Sequence, residues 1–180
     1  MIKNNNNSKK GFTIIEVVLV LAIAGLIFLM VFLALPALRR GQRDTQRKSD
    51  LNRAAAALTD YKAAHRGNIP NNNPGSTGAL TWSQFVTEYL TASGKDEFID
   101  PSGLASKQDS SLKSYEFVEL LPGRPMPTTF DGEDGAQNKI YYTVGAKCQE
   151  GGQNVESGQG ARIVALRMKL EGAGYHCLSD

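Results

Sequence analysis

Residues 17–38, VVLVLAIAGLIFLMVFLALPAL, contain no charged side chain, and this run constrains the chain more than any other feature. Its 22 residues make a helix of about 33 Å, which matches a bilayer hydrocarbon core of roughly 30 Å. An ordinary secretory signal has an apolar core of only about 7–15 residues and a small-x-small cleavage site. The sequence FLALPALRR that closes this run offers no such site. What is left without the run is polar and rich in Gly, Asn, Ser and Thr. The 180-residue length suits one compact domain and an appendage. A membrane-tethered domain is expected.

Charge is distributed by region. Lys3, Lys9 and Lys10 lead the chain with no acid beside them. Arg39, Arg40, Arg43, Arg47, Lys48 and Arg53 follow the apolar run, against only Asp44 and Asp50. Residues 54–180 carry 11 basic and 15 acidic groups, so the formal +2 of the whole chain hides an acidic C-terminal part. Nucleic-acid binding by that part is not indicated. The basic belt 39–53 has lipid head groups and DNA as candidate partners. Its simplest reading is a solvated helix face with some acid–base pairing.

Beyond Pro36, which is expected to kink the helix rather than end it, a helical period continues. Leu51, Ala54, Ala55, Leu58, Tyr61 and His65 recur at spacings of three and four and form one apolar stripe. Residues 12–66 therefore read as one helix of about 80 Å, ended by Gly67, Pro70, Pro74, Gly75 and Gly78. Thr81 and Gln84 have capping-box spacing, and Trp82, Phe85, Val86, Tyr89 and Leu90 then share a helical face over 82–92. SYEFVELL, KIYYTVGAKC, ARIVALRMKL and GYHCL read as strands, and the third alternates Val164, Leu166 and Met168 against Ala165, Arg167 and Lys169. The expected fold class is α+β: a long N-terminal helix packed on a small antiparallel sheet.

Cys148 and Cys177 lie outside any C-x-x-C and have no histidine cluster beside them, which argues against zinc. In an exported domain they read as one disulfide, the alternative being two reduced thiols. Asp131, Glu133 and Asp134 in DGEDG are a weak Ca²⁺ candidate. They lack EF-hand spacing and its distal Glu, so they read as an acidic turn, and no cofactor is expected. His65 and His176 are isolated, and no Ser/His/Asp, Cys/His or paired-carboxylate arrangement suggests an enzyme.

Glu16 stands at the threshold of the apolar run. On an arbitrary anchor it would simply complement the helix dipole, by about 0.3–1 kcal/mol. Here it follows a basic leader, Gly11, Phe12 and Thr13. This segment, which opens KKGFTIIEVVLVLAIAGLI and runs over residues 9–28, resembles the N-terminal signature of type IV prepilins and related pseudopilins. The resemblance implies a leader 1–11 removed between Gly11 and Phe12 and methylation of the new Phe12 amine by a membrane prepilin peptidase/methylase. It divides the remainder into a transmembrane and polymerisation helix 12–38, an amphipathic continuation 39–66 and a head 67–180. Phe12 and Glu16 would set subunit register. The implied partners are membrane lipid before assembly, copies of the chain or other pilins, and a pilus assembly platform. The implied locations are the bacterial cell membrane, then a surface pilus or a pseudopilus spanning the periplasm. A pseudopilin of a type II secretion system is the alternative within the family. Outside it stands a single-pass binding domain that never polymerises. Pro36 lies three residues past the family's kinking proline, a position occupied here by Leu33.

Overall fold

The apolar run and the amphipathic stretch after it fold as one helix. In the computed structural model, which describes residues 11–71, 79–91, 97–102, 115–130, 138–172 and 174–179, α1 spans Ile14–Ala64 with Pro36 inside it. The chain divides into two compact units between Arg39 and Arg40. In the first unit the large apolar side chains of α1 are exposed. An 18-residue window there has mean hydropathy 3.2, so α1 is long and apolar enough to cross a membrane.

In the second unit the expected stripe is buried. Leu51, Ala54, Leu58 and Tyr61 are fully covered, and Ala55 packs at the core edge. Burying a side chain such as Leu51 or Leu58 contributes about 1.5–3 kcal/mol each. His65, just past the helix end, stacks on the Tyr61 ring at 4.0 Å. The helix stops where Gly67, at φ +82°, donates its N–H to the Lys62 carbonyl at 2.7 Å. This left-handed closure satisfies one of the carbonyls left open at a helix end.

Thr81 and Gln84 form the expected reciprocal capping box at the start of α2, Trp82–Phe85. The chain then widens into one π-helical turn, Val86–Leu90, closed by the Thr91 N–H on the Val86 carbonyl at 2.9 Å. Trp82, Phe85, Val86 and Leu90 join the core, and Trp82 stacks on Phe117 at 4.9 Å.

The main sheet has the order β1–β2–β5–β6, from Glu116–Glu119, Lys139–Val144, Val164–Lys169 and Tyr175–Ser179. β2–β5 and β5–β6 are antiparallel, with Tyr141 opposite Arg167 and Arg167 opposite Cys177. β1 pairs with β2 in parallel, so the sheet is mixed at one edge. Parallel neighbours need a crossover rather than a tight hairpin.

KIYYTVGAKC does not remain one strand. Gly145, at φ +70°, breaks it, and β3 (Ala146–Cys148) leaves the sheet to pair with β4 (Val155–Ser157) in a separate hairpin. β4 lies in a segment whose glycines and polar residues read as loop. The alternation on β5 is real but does not separate buried from exposed residues. Val164, Leu166 and Met168 enter the helix-side core, while Ala165 and Arg167 on the other face are also covered. A smaller cluster of Met126 and Tyr141, with Val118, Leu120 and Tyr175, lies apart from the main core.

Candidate assembly interface

Of the residues singled out at the N-terminus, Thr13 and Glu16 meet in the first helical turn. Phe12 is 90% exposed. Glu16 Oε2 accepts the Thr13 N–H at 2.9 Å and the Thr13 hydroxyl at 2.9 Å, and the Glu16 N–H donates back to Thr13 Oγ1 at 3.4 Å. This is a capping box with Glu at the third helical position. Thr13 is therefore the carboxylate's local partner. The Thr-x-x-Glu spacing was the available signal for it. Both bonds reach Oε2, and no bond to Oε1 is formed among the described residues.

The basic belt is not simply a solvated face, and here the sequence reading is corrected. Arg40 and Lys48 are exposed, but Arg47 is fully buried and Asp44 and Asp50 nearly so. Arg47 Nε and Nη2 donate to the two oxygens of Asp100 at 2.8 and 3.0 Å, a bidentate pair. Its Nη1 donates to Asp44 at 3.0 Å and to Glu171 at 3.2 Å. Arg43 also donates to Glu171, through Nε at 2.7 Å and through Nη2. Asp44 in return accepts the backbone N–H groups of Glu171 and Gly172, each at 2.8 Å. The helix and the β5–β6 turn thus hold each other by side chain and backbone together.

The electrostatics follow this geometry. Hydrogen bonding from Arg43, joined by Arg47, holds the Glu171 carboxyl down at about 2 despite some burial. Burial pushes Asp100 up, but the bonds from Arg47 and Ser102 together outweigh it and leave it below the ordinary range. Asp50 goes the other way: burial raises it in spite of hydrogen bonds from Tyr115 at 3.0 Å and Arg53 at 3.2 Å. A cluster of this kind adds little compared with an apolar isostere, yet removing one partner is heavily penalised. The missed signal lies in spacing. Asp44 and Arg47 continue the series 51, 54, 58, 61 backwards by four and three, so they belong to the docking stripe despite their charge.

Cys148 and Cys177 form a disulfide that joins the β3–β4 hairpin to β6. His65 follows α1 and stacks on Tyr61, and His176 lies on β6. Asp131, Glu133 and Asp134 lie outside the described residues. Among the described residues no group of three or more His, Cys, Asp or Glu side chains could hold a metal ion.

Residues 6–32 match the family model for the prokaryotic N-terminal methylation motif, a stretch that takes in Gly11, Phe12, Thr13, Glu16 and most of the apolar run. No curated protein and no solved structure matches the chain. An exposed apolar helix led by this motif defines a class, that of precursors anchored in a membrane through the N-terminus. More specifically, the chain carries the type IV prepilin-like signal, the mark of a pilin-like structural precursor.

Proposed function

We propose that the protein is a structural subunit of a type IV pilus or pilus-like filament. Its precursor is held in the membrane by residues 12–38, hydrolysed between Gly11 and Phe12, and methylated on the Phe12 amine. Residues 39–66 continue the helix into a head, 67–180, that forms the filament surface. The observation that carries this reading is the motif match over 6–32, with Gly11, Phe12 and Glu16 at their expected offsets.

The physics gives each part a reason. A charge near the membrane interface costs less than the roughly 3 kcal/mol of the bilayer centre on insertion scales. Thr13 lowers that cost further by supplying two donors to Oε2. Cleavage creates a cationic amine on Phe12, and Oε1, which has no partner among the described residues, can accept such an amine from a neighbouring subunit. An ion pair in an apolar helix bundle contributes little net stability, but a mismatch leaves a charge unpaired, so it selects axial register. Ala22, Ala24 and Gly25 permit close helix approach.

The test is Glu16→Ala in cells that assemble the filament. The expected result is normal membrane insertion and leader removal with loss of filaments and of cross-links between adjacent N-terminal helices. Wild-type filament yield from this variant would overturn the register role.

A further inference from the structure

The face of the sheet that carries Arg167 holds a cation in an unusual setting. Arg167 is 1% exposed, and no carboxylate among the described residues forms an ion pair with it. Nη1 donates to the Gln153 carbonyl at 2.9 Å and Nη2 to the Thr143 hydroxyl at 2.8 Å. Nε is buried with no partner among the described residues. The contrast with Arg47, ringed by Asp44, Asp100 and Glu171, is complete. A guanidinium removed from water with only neutral acceptors opposes whatever covers it. Burial also pushes the pKa of Arg167 down.

Part of the cover is the β3–β4 hairpin, since Gln153 lies in its connecting turn. Arg167 sits directly across the β5–β6 ladder from Cys177, so guanidinium and disulfide share one sheet face. The turn is pressed close at that point. A Cβ on Gly152 would meet Cys177 Cβ and the Tyr175 carbonyl at 3.2 Å each. Apart from the disulfide, a hydrogen bond of 3.3 Å from the Cys148 N–H to the Ser179 hydroxyl links β3 to β6. The hairpin has two three-residue strands, and a free pair of that size is marginal in water.

We propose that the β3–β4 hairpin is a thiol-gated strap: the Cys148–Cys177 disulfide holds it closed over Arg167, and the buried guanidinium, which meets only neutral acceptors among the described residues, opens it once that bond is reduced. A dithiol reductant passes two electrons and two protons to the bond, giving two cysteine thiols, and becomes a disulfide itself. The opened strap lets water reach Arg167, while the helix-side core around Leu58 and Trp82 stays intact on the opposite face. The finished head surface is then available only to chains whose two cysteines have been oxidised. This goes beyond the filament reading and holds whether or not the subunit polymerises.

The experiment uses the full chain in detergent, oxidised or treated with dithiothreitol, with freed thiols trapped by iodoacetamide. Phenylglyoxal then labels accessible arginines, read by peptide mass mapping. Arg167 is expected to gain roughly tenfold in labelling on reduction while Arg47 stays protected in both states. Arg167 equally protected in the two states, or both arginines exposed together, would overturn the proposal. A second arm follows hydrogen exchange of residues 146–157 in Arg167→Met. Once reduced, this variant is expected to exchange roughly tenfold more slowly there than reduced wild type. Equal rates would show that the guanidinium does not drive opening. The labelling arm needs no variant, so it decides the matter if Arg167→Met does not fold.

Discussion

The two regions of α1 reverse the ordinary relation between polarity and burial. In the first unit Leu26, Phe28, Met30 and Leu33 are exposed. In the second, Asp44, Arg47 and Asp50 are buried on the same helix. Burial therefore follows the available partner rather than hydropathy. The C-terminal part has its partners in the chain itself: an apolar core for Leu51 to Tyr61, and matched carboxylates for Arg47. Among the described residues the large apolar side chains of the first unit are exposed. A surface of that size marks contact with lipid or with another protein surface.

The comparison breaks most visibly at Arg47. Arg47→Ala strands Asp100 and Asp44 in a buried site, and we expect the second unit to lose about 3–5 kcal/mol in denaturant unfolding. A change below about 0.5 kcal/mol, the size of an ordinary surface substitution, would mean that the carboxylates are solvated after all. Next comes a matched pair of leucines. Leu58→Ala should cost about 2–5 kcal/mol, whereas Leu26→Ala should leave the same unfolding transition within about 0.5 kcal/mol. Equal losses would erase the distinction between the two regions.

Acid sharpens the comparison by titrating one side of it. Glu171 has a folded pKa of about 2, below the roughly 4.3 of a free glutamate. Its contribution is therefore present above pH about 4.3 and is lost as pH falls through the folded value. Asp100 is shifted in the same direction, while Asp50, raised by burial, partly opposes them. Stability should fall between about pH 4.5 and 2, and Glu171→Gln should flatten that slope. An identical slope in the variant would remove Glu171 from the cluster's acid response. The smallest effect is at the start of α2, where Thr81→Ala should cost about 1 kcal/mol through loss of the cap, measured in the same unfolding assay.

Features with a local code were legible in the sequence. The three-and-four spacing of Leu51, Ala54, Leu58 and Tyr61 reported the docking face, and Thr81 with Gln84 marked a helix start that the structure contains. The strands β2, β5 and β6 followed from β-branched and aromatic residues. Features that depend on distant partners were not legible. Arg47 reads as a surface cation until Asp100, 53 positions away, and Glu171, 124 positions away, are brought to it. Nothing within EFVE states that it pairs in parallel with β2, because that choice belongs to the crossover. Val155–Ser157 is too short and too polar to stand out from its glycines, and becomes a strand only beside β3. At the N-terminus the spacing shows the motif, and the Thr13-x-x-Glu16 pattern within it is the local signal of the cap that the structure contains.

We propose that, once the leader is cut away after Gly11, the apolar half of α1 is reused as an assembly surface. Mass spectrometry of the mature N-terminus in membrane and filament fractions tests it most directly. The expected species begins at an N-methylated Phe12. An intact Met1 chain in both fractions, or an N-terminus near Ala37, would contradict the account.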